Sequence, residues 1–171
     1  MSPKSLLNPV IRHSPPWLSQ LSNLMKSSFF TVERASVAEL DLFTVKSNAL
    51  NHRADVSVYK PEGNYKNMPV VILLHGVYGS HWAWSLKANV HKILQQLIDD
   101  EKVPPMMLVM PSDGLFQDGS GYLPHQAVDY EKWIVEDVPL LIKESYGNVS
   151  EKSLFFRVAP NLFALFEKIS Q

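Results

Sequence analysis

The chain has 171 residues, of which 46% are hydrophobic and 19% charged, and its formal net charge is −1. A chain of this length can bury one globular core, and its balanced charge gives no reason to expect nucleic acid or an anionic membrane as a partner. Cysteine is absent, which excludes disulfides and thiolate metal sites. No apolar stretch reaches the ~18 residues of a membrane span. The proline-interrupted start of the chain is unlike a signal peptide, so we expect a cytoplasmic protein.

Three strand-like segments come first in chain order. They begin at Phe29 ("FFTVERASV"), Leu40 ("LDLFTVKS") and Ala54 ("ADVSVYKP"). Each combines partial alternation of apolar and polar residues with β-branched or aromatic side chains, which indicates a strand. The stretch "NALNHRA" predicts a turn between the second and third segments, and "PEGNYKNMP" predicts a loop after the third. We interpret these segments as antiparallel-type strands.

The pattern then changes to buried strands that alternate with helices. "VVILL" at 70–74 has no polar alternation, which is typical of a central strand covered on both faces. Apolar residues recur with helical spacing within 83–100 and again within 133–142. "MMLVM" at 106–110 and "SLFF" at 153–156 are two further short apolar runs. "PNLFALFEKIS" starts with proline, a residue favoured in the first turn of a helix, and predicts a last helix.

These elements predict an α/β fold, in which N-terminal antiparallel strands lead into a parallel central sheet flanked by helices. Within this sheet, residues 69–74, 105–110 and 153–157 are predicted to be neighbouring strands. A helix at about 84–100 is predicted to cross between the first two, because a connection between parallel strands must pass over one face of the sheet.

The first buried strand ends at a sharp corner, "HGVYG", formed by residues 75–79. Ligand sites in open α/β sheets lie beyond the carboxyl ends of the strands. Glycines let the backbone turn sharply and approach a ligand closely. Two interpretations are open: a loop whose backbone N–H groups face a developing oxyanion, or a tight strand-to-helix turn with two structural glycines.

Three longer motifs occur in the order "VVILLHGVYGSHWAW", "LVMPSDGLFQDGSGYLPH" and "DYEKWIVEDVPLLIKESYGNVSEKSLFF". Together they resemble the esterase D and S-formylglutathione hydrolase-like branch of the α/β-hydrolases, over about residues 28–156. The resemblance implies a fold and the hydrolysis of a small acyl ester or thioester. The implied mechanism is attack by a serine, with histidine as general base and an oxyanion hole. We expect no metal and no cofactor.

The resemblance also implies roles for single residues. His75 and Gly76 close the strand, Val77 and Tyr78 supply the backbone donors of the oxyanion loop, and Gly79 ends that loop.

Substrate-binding positions are also implied, mainly by the loops that follow the second buried strand. Asp113 in "PSDG" is expected beside the mouth of the site, and Asp118 and Tyr122 in "DGSGY" on its substrate side. The aromatic rings of Trp82 and Tyr122 line a substrate pocket in one interpretation and belong to the core in the other.

The other half of such a site does not occur in the sequence. The family's nucleophile is the serine of G-x-S-x-G, and its histidine follows later in the chain. No two of the seven glycines stand four residues apart, and no histidine follows His125, so no catalytic residue is identified. We therefore predict an N-terminal extension, 1–27, and an incomplete α/β-hydrolase domain, 28–171. The alternatives are a fragment, a frameshift product, or a non-catalytic degenerate relative that acts as a binding or interaction protein.

Other chemistry-bearing groups have simpler explanations. The adjacent Ser80 and His81 would rarely orient as a nucleophile and base. The histidines and aspartates within 75–118 match no metal-ligand spacing. Glu136 and Asp137 are expected to face solvent on a helix. An incomplete parallel sheet leaves an edge, so self-association through the strand at "SLFF" is also expected.

Overall fold

The computed structural model describes residues 32–157, apart from 38, 115 and 148. In chain order the strands and α-helices are β1 (Val32–Val37), β2 (Leu40–Lys46), β3 (Arg53–Tyr59), β4 (Met68–Leu74), α1 (Val90–Asp99), β5 (Met107–Pro111), α2 (Tyr130–Lys132), α3 (Val138–Tyr146) and β6 (Val149–Arg157). Two π-helical segments accompany them, Ala83–Lys87 before α1 and Trp133–Asp137 between α2 and α3. The predicted extension 1–27 and the helix predicted at "PNLFALFEKIS" lie outside the described residues.

The six strands form one sheet in the order β1-β2-β3-β5-β4-β6. The first three pair antiparallel in sequence, and β3 pairs antiparallel with β5. By contrast, β4 pairs parallel with both β5 and β6. The predicted arrangement is confirmed, since antiparallel strands lead into a parallel group and the three buried runs are neighbours.

Helices cover both faces of this sheet. Val70 and Ile72 of β4 share one core with residues of the helix 130–146. Val71 and Leu73 of the same strand share the opposite core with residues of α1. Because successive side chains of a strand point to opposite faces, a strand covered on both faces needs apolar residues at every position. This explains the unbroken run "VVILL".

The helix predicted at about 84–100 is wrong as a single element. A π-helical segment ends at Lys87, and α1 begins separately at Val90. Between them, Asn89 lies in the left-handed region with φ 50°. Asparagine tolerates this conformation better than most residues, so the chain changes direction there before it crosses to β5.

The helix within 130–146 carries one further correction. Glu136 is exposed as predicted, but Asp137 is buried. Its carboxylate accepts hydrogen bonds from the Ser47 hydroxyl and from the Ala49 backbone N–H, which belong to the turn after β2. A buried carboxylate is stable only when such donors replace water, and here they attach the β2–β3 turn to the helix.

Candidate functional site

Three loops meet at one edge of the parallel strands. Residues 75–79 follow β4, and residues 112–114 follow β5. The parallel pairing of β4 with β5 aligns Val70 with Met107, so both strands end at the same edge of the sheet. A third loop, 118–122, is attached to the other two by the hydrogen bonds described below. The sequence motifs that carried the resemblance are therefore brought together in space.

His75 is the buried centre of this loop cluster. Its Nδ1 lies 2.8 Å from the Gly76 carbonyl oxygen, to which it can only donate. Its Nε2 lies 3.2 Å from the Asp113 backbone nitrogen and accepts that N–H. These two bonds assign the neutral tautomer with the proton on Nδ1. The imidazole thus joins the loop after β4 to the loop after β5.

Asp113 extends the connection to the third loop. Its Oδ2 accepts hydrogen bonds from both the backbone N–H and the hydroxyl of Ser120, each at 3.1 Å. The Ser120 hydroxyl oxygen in turn accepts the Tyr122 backbone N–H at 3.0 Å. The Tyr122 ring packs edge-on against His75, with 5.7 Å between ring centroids. His75, Asp113, Ser120 and Tyr122 therefore form one network, called here the corner network.

The corner at 76–79 is a turn closed by the Gly79 N–H, which donates to the Gly76 carbonyl at 3.0 Å. Its strained residue is Tyr78, with φ 58°, a region that side chains other than glycine seldom adopt. The side chains of Val77 and Tyr78 are 64% and 76% exposed. Within the described part of the chain, neither of their backbone N–H groups has a hydrogen-bond partner. Two adjacent donors therefore stand free at the carboxyl end of β4.

The two glycines of the corner differ in whether there is room for a side chain. A Cβ on Gly79 would lie 2.9 Å from the Gly76 carbonyl oxygen and from both Cβ and Nδ1 of His75. A Cβ on Gly76 would meet no heavy atom within 4 Å. The need for glycine thus falls on Gly79 alone, because any side chain there would displace the buried imidazole.

We expect Gly79→Ala to lower the free energy of unfolding by about 2 kcal/mol, since overpacking against backbone and a buried ring is not relieved by rotamer changes. Gly76→Ala is the matched control, and its effect should stay within about 0.5 kcal/mol. Urea unfolding followed by far-UV circular dichroism measures both. Equal effects at the two positions would contradict the packing derived for the corner.

The remaining predicted residues are divided between the corner network and other places. Asp113 and Tyr122 belong to the network, whereas Asp118 is exposed. Trp82 lines a separate cavity beside β1 and β2. The pairing of Ser80 with His81 does not form: His81 Nδ1 is hydrogen-bonded to the Ser57 hydroxyl at 2.7 Å instead.

Sequence reasoning assigned no role in this region to Ser112, Ser120 or Tyr130. The Trp133 indole N–H donates to the Ser112 carbonyl at 3.1 Å, and the Ser112 hydroxyl accepts the Gly114 N–H at 2.9 Å. The one local signal was the position of Ser112 directly after a buried strand. The contact with Trp133 joins residues 21 apart in sequence, and no local pattern reports it.

Burial is the main cause of the pKa shifts of two side chains in and near this region. Burial raises the pKa of Tyr130 to about 12, and the negative charge of Asp113 adds to the shift. Burial lowers the pKa of His81, more than the charge of Asp55 raises it. His81 is therefore uncharged at neutral pH.

Among the residues that the structure describes, no group of three or more metal-ligating side chains occurs, and no helix is long and apolar enough to cross a membrane.

The comparison with protein families gives one match. The family model described as "Putative esterase" matches residues 47–156, which is more than half of the chain. No match was found among curated proteins.

Several solved structures of similar fold are esterases or hydrolases by their descriptions. A ferulic acid esterase has a TM-score of 0.60 at 20% identity, over 75% of this chain and 50% of that one. An S-formylglutathione hydrolase from Agrobacterium tumefaciens has a TM-score of 0.57 at 17% identity, over 77% and 53%. The enterobactin esterase of Shigella flexneri has a TM-score of 0.55 at 19% identity, over 78% and 33%. The chain thus spans about half or less of these proteins, and the likeness establishes a partial α/β-hydrolase fold.

Proposed function

Because the chain belongs to the family described as "Putative esterase", we propose that residues 75–79 are the oxyanion-stabilising loop of a carboxylic-ester or thioester hydrolase. One observation carries this proposal: the free backbone N–H groups of Val77 and Tyr78 stand side by side at the carboxyl end of β4. Donors fixed in this way stabilise the negative charge that develops on a carbonyl oxygen under attack. One such donor is worth roughly 3 kcal/mol in the transition state.

The corner network supplies the rigidity that such a loop requires. An oxyanion hole works because its donors are held in place before the reaction and need not reorganise during it. The Gly76 carbonyl oxygen accepts two hydrogen bonds, one from Nδ1 of His75 and one from the Gly79 backbone N–H. Asp113 holds His75 through its backbone N–H. Each of these contacts restrains the peptide groups whose N–H bonds would face the substrate.

We propose further that the nucleophile and the general base of the reaction are not among these 171 residues. G-x-S-x-G does not occur in the sequence, and no histidine follows His125. The serines near the corner are unsuited to act as the nucleophile. Ser120 is buried, and its hydroxyl donates to the Asp113 carboxylate and not to a histidine. Ser112 is buried, and its oxygen accepts the Gly114 N–H.

The oxyanion loop can be tested with a carboxylate, whose oxygens resemble the charge of the intermediate. In a titration with butyrate followed by ¹H–¹⁵N NMR, we expect the largest amide shifts at Val77 and Tyr78. Amides of the helix 130–146 serve as the internal control and should not shift. Saturable shifts centred elsewhere, or none, would argue against the loop.

We expect the chain alone to hydrolyse p-nitrophenyl acetate no faster than an unrelated protein of similar surface. A protease that has lost only its nucleophile still accelerates the reaction by about 10³–10⁴-fold over water. That residual catalysis depends on a complete substrate site. An organophosphonate probe that labels activated serines provides the second readout. Stoichiometric labelling of Ser80, Ser112 or Ser120, with turnover abolished by the matching Ser→Ala change, would overturn this part of the proposal.

We also propose that the chain associates with itself through β6. Among the described strands, β6 pairs with β4 alone and lies at one end of the sheet. An unpaired strand edge offers backbone donors and acceptors to another chain. Sedimentation velocity should therefore show an average mass that rises with protein concentration. A compact monomer at every concentration would contradict this expectation.

A further inference from the structure

The corner is closed at its base by a tryptophan that follows it in the chain. β4 ends at Leu74, and residues 75–79 leave the sheet there. Ten residues later, the Trp84 indole N–H donates to the Leu74 carbonyl oxygen at 3.3 Å. The two ends of the segment 74–84 are therefore joined by a side-chain hydrogen bond, and the corner lies within this closed loop.

The ring of Trp84 is also held by packing. Trp84 is 7% exposed and lies in the core on the α1 face of the sheet, together with Leu73, Val90 and Leu94. A buried indole N–H usually has a hydrogen-bond partner, and here that partner is the last carbonyl of β4. Because the ring cannot turn freely in this core, its N–H has one direction. Trp84 thus ties the start of the corner to the core.

The first three carbonyls of the closed loop all accept hydrogen bonds. Leu74 accepts from the Trp84 indole, and His75 accepts from the Tyr122 hydroxyl at 3.4 Å. The next carbonyl, that of Gly76, accepts the two hydrogen bonds described above. Three successive peptide groups therefore leave the sheet in fixed orientations.

These fixed peptide groups determine where the free N–H groups point. A peptide group is planar and trans, so the Gly76 carbonyl and the Val77 N–H point in opposite directions. The next residue, Tyr78, has a φ of 58°, and such a conformation persists only where the surrounding structure imposes it. Loss of the bond at Leu74 would free the corner at its base, and both N–H groups would lose their fixed direction.

We propose that Trp84 is a positioning residue of the oxyanion loop. Its indole N–H fixes the first peptide group of the corner and, through the backbone, the direction of the Val77 and Tyr78 N–H groups. This inference rests on the proposed function of residues 75–79. Trp84 does not touch the substrate in this role and acts only through the peptide groups that carry the two donors.

Trp84→Phe tests the role, because it removes the indole N–H and keeps an aromatic ring in the core. In the ¹H–¹⁵N NMR titration with butyrate, we expect this variant to bind about fivefold more weakly than the original chain. That factor corresponds to the net contribution of one ordinary hydrogen bond. The ¹⁵N order parameters of Val77 and Tyr78 should also fall, because the loop loses its attachment at the base.

Two control variants separate positioning from general destabilisation. Trp82→Phe is the matched control, since Trp82 is 36% exposed and its indole N–H has no hydrogen-bond partner in the described part of the chain. Ile98→Ala removes packing from the same core as Trp84, at the far end of α1, and leaves the indole bond in place. Ile98→Ala should destabilise the chain, yet both controls should bind butyrate like the original chain.

The possible results distinguish this inference from the function on which it rests. If the original chain binds butyrate at Val77 and Tyr78 and Trp84→Phe binds it equally well, the role of Trp84 is wrong and the oxyanion loop stands. An equal loss of affinity in Ile98→Ala would likewise reduce Trp84 to a structural residue. If the original chain does not bind butyrate, the oxyanion loop fails, and the role of Trp84 fails with it.

The original chain offers a second measurement should Trp84→Phe not fold. Because the Trp84 indole N–H is bonded to the base of the loop, butyrate should shift its NMR resonance, whereas the Trp82 indole resonance should stay in place. A Trp84 indole resonance that does not respond, while the amides of Val77 and Tyr78 do, would overturn the proposal.

Discussion

Replacing Trp133 with alanine should lower the free energy of unfolding by about 4 kcal/mol, the range found for a fully buried large aromatic residue. The Trp133 side chain is 0% exposed and belongs to the core between the sheet and the helix 130–146. Its truncation leaves a cavity that the packed strands cannot close. It also removes the indole N–H that satisfies the Ser112 carbonyl at the end of β5. Chemical denaturation, monitored by circular dichroism, measures the change.

Two variants separate the parts of this effect. Val135→Ala changes a residue of the same helical segment that is 49% exposed. It should change the free energy of unfolding by no more than about 0.5 kcal/mol. Trp133→Phe keeps much of the packed volume but loses the hydrogen bond, so we expect an intermediate loss. If Trp133→Ala were as mild as Val135→Ala, the core assigned to this face of the sheet would be wrong.

Asp113→Ala should lower the free energy of unfolding by about 3 kcal/mol. Hydrogen bonds to a charged group each contribute about 1.5–3 kcal/mol, and the Asp113 carboxylate accepts two from Ser120. The Ser120 hydroxyl and N–H, which are buried, would be left without this acceptor. We also expect the loop 118–122 to loosen at Ser120, while the Tyr122 ring stays packed against His75. Unfolding experiments give the energy, and amide hydrogen exchange at Ser120 and Tyr122 reports the loosening.

Asp113→Asn is the matched control, because the amide keeps one oxygen in place of the carboxylate and can still accept from Ser120. Asp113→Asn should lower the free energy of unfolding by less than half as much as Asp113→Ala does, and it should leave amide hydrogen exchange in the loop nearly unchanged. An Asp113→Ala variant with the stability and exchange of the original chain would show that the corner network does not hold the loops together.

Much of the fold could be predicted from the sequence, because burial on a strand or helix leaves a periodic pattern of apolar residues. "VVILL" predicted a central strand covered on both faces, and β4 pairs on both edges and is packed on both sides. The helical spacing within 133–142 predicted the buried face of the helix 130–146. Strand-end position likewise indicated residues 75–79, whereas the loop after β5 was implied only by the family resemblance.

The polar contacts could not be predicted in this way, because each joins residues far apart in the chain. Asp137 was expected in solvent and is buried against Ser47, 90 residues away. His75 and Asp113, 38 residues apart, meet only because β4 and β5 are parallel and end at the same edge. Burial of a single polar residue leaves no period in the sequence, so only the packed structure reveals its partners.

By itself the sequence determined the kinds of elements, their order, and the absence of G-x-S-x-G and of any histidine after His125. Only the tertiary structure decided that Gly79 and not Gly76 must be glycine, that His81 bonds Ser57, and that His91 is buried with its Nδ1 unpartnered among the described residues. The physical reason is the range of the interactions. Backbone propensity and apolar periodicity act between near neighbours, whereas steric fit and hydrogen-bond satisfaction depend on which distant groups the fold brings into contact.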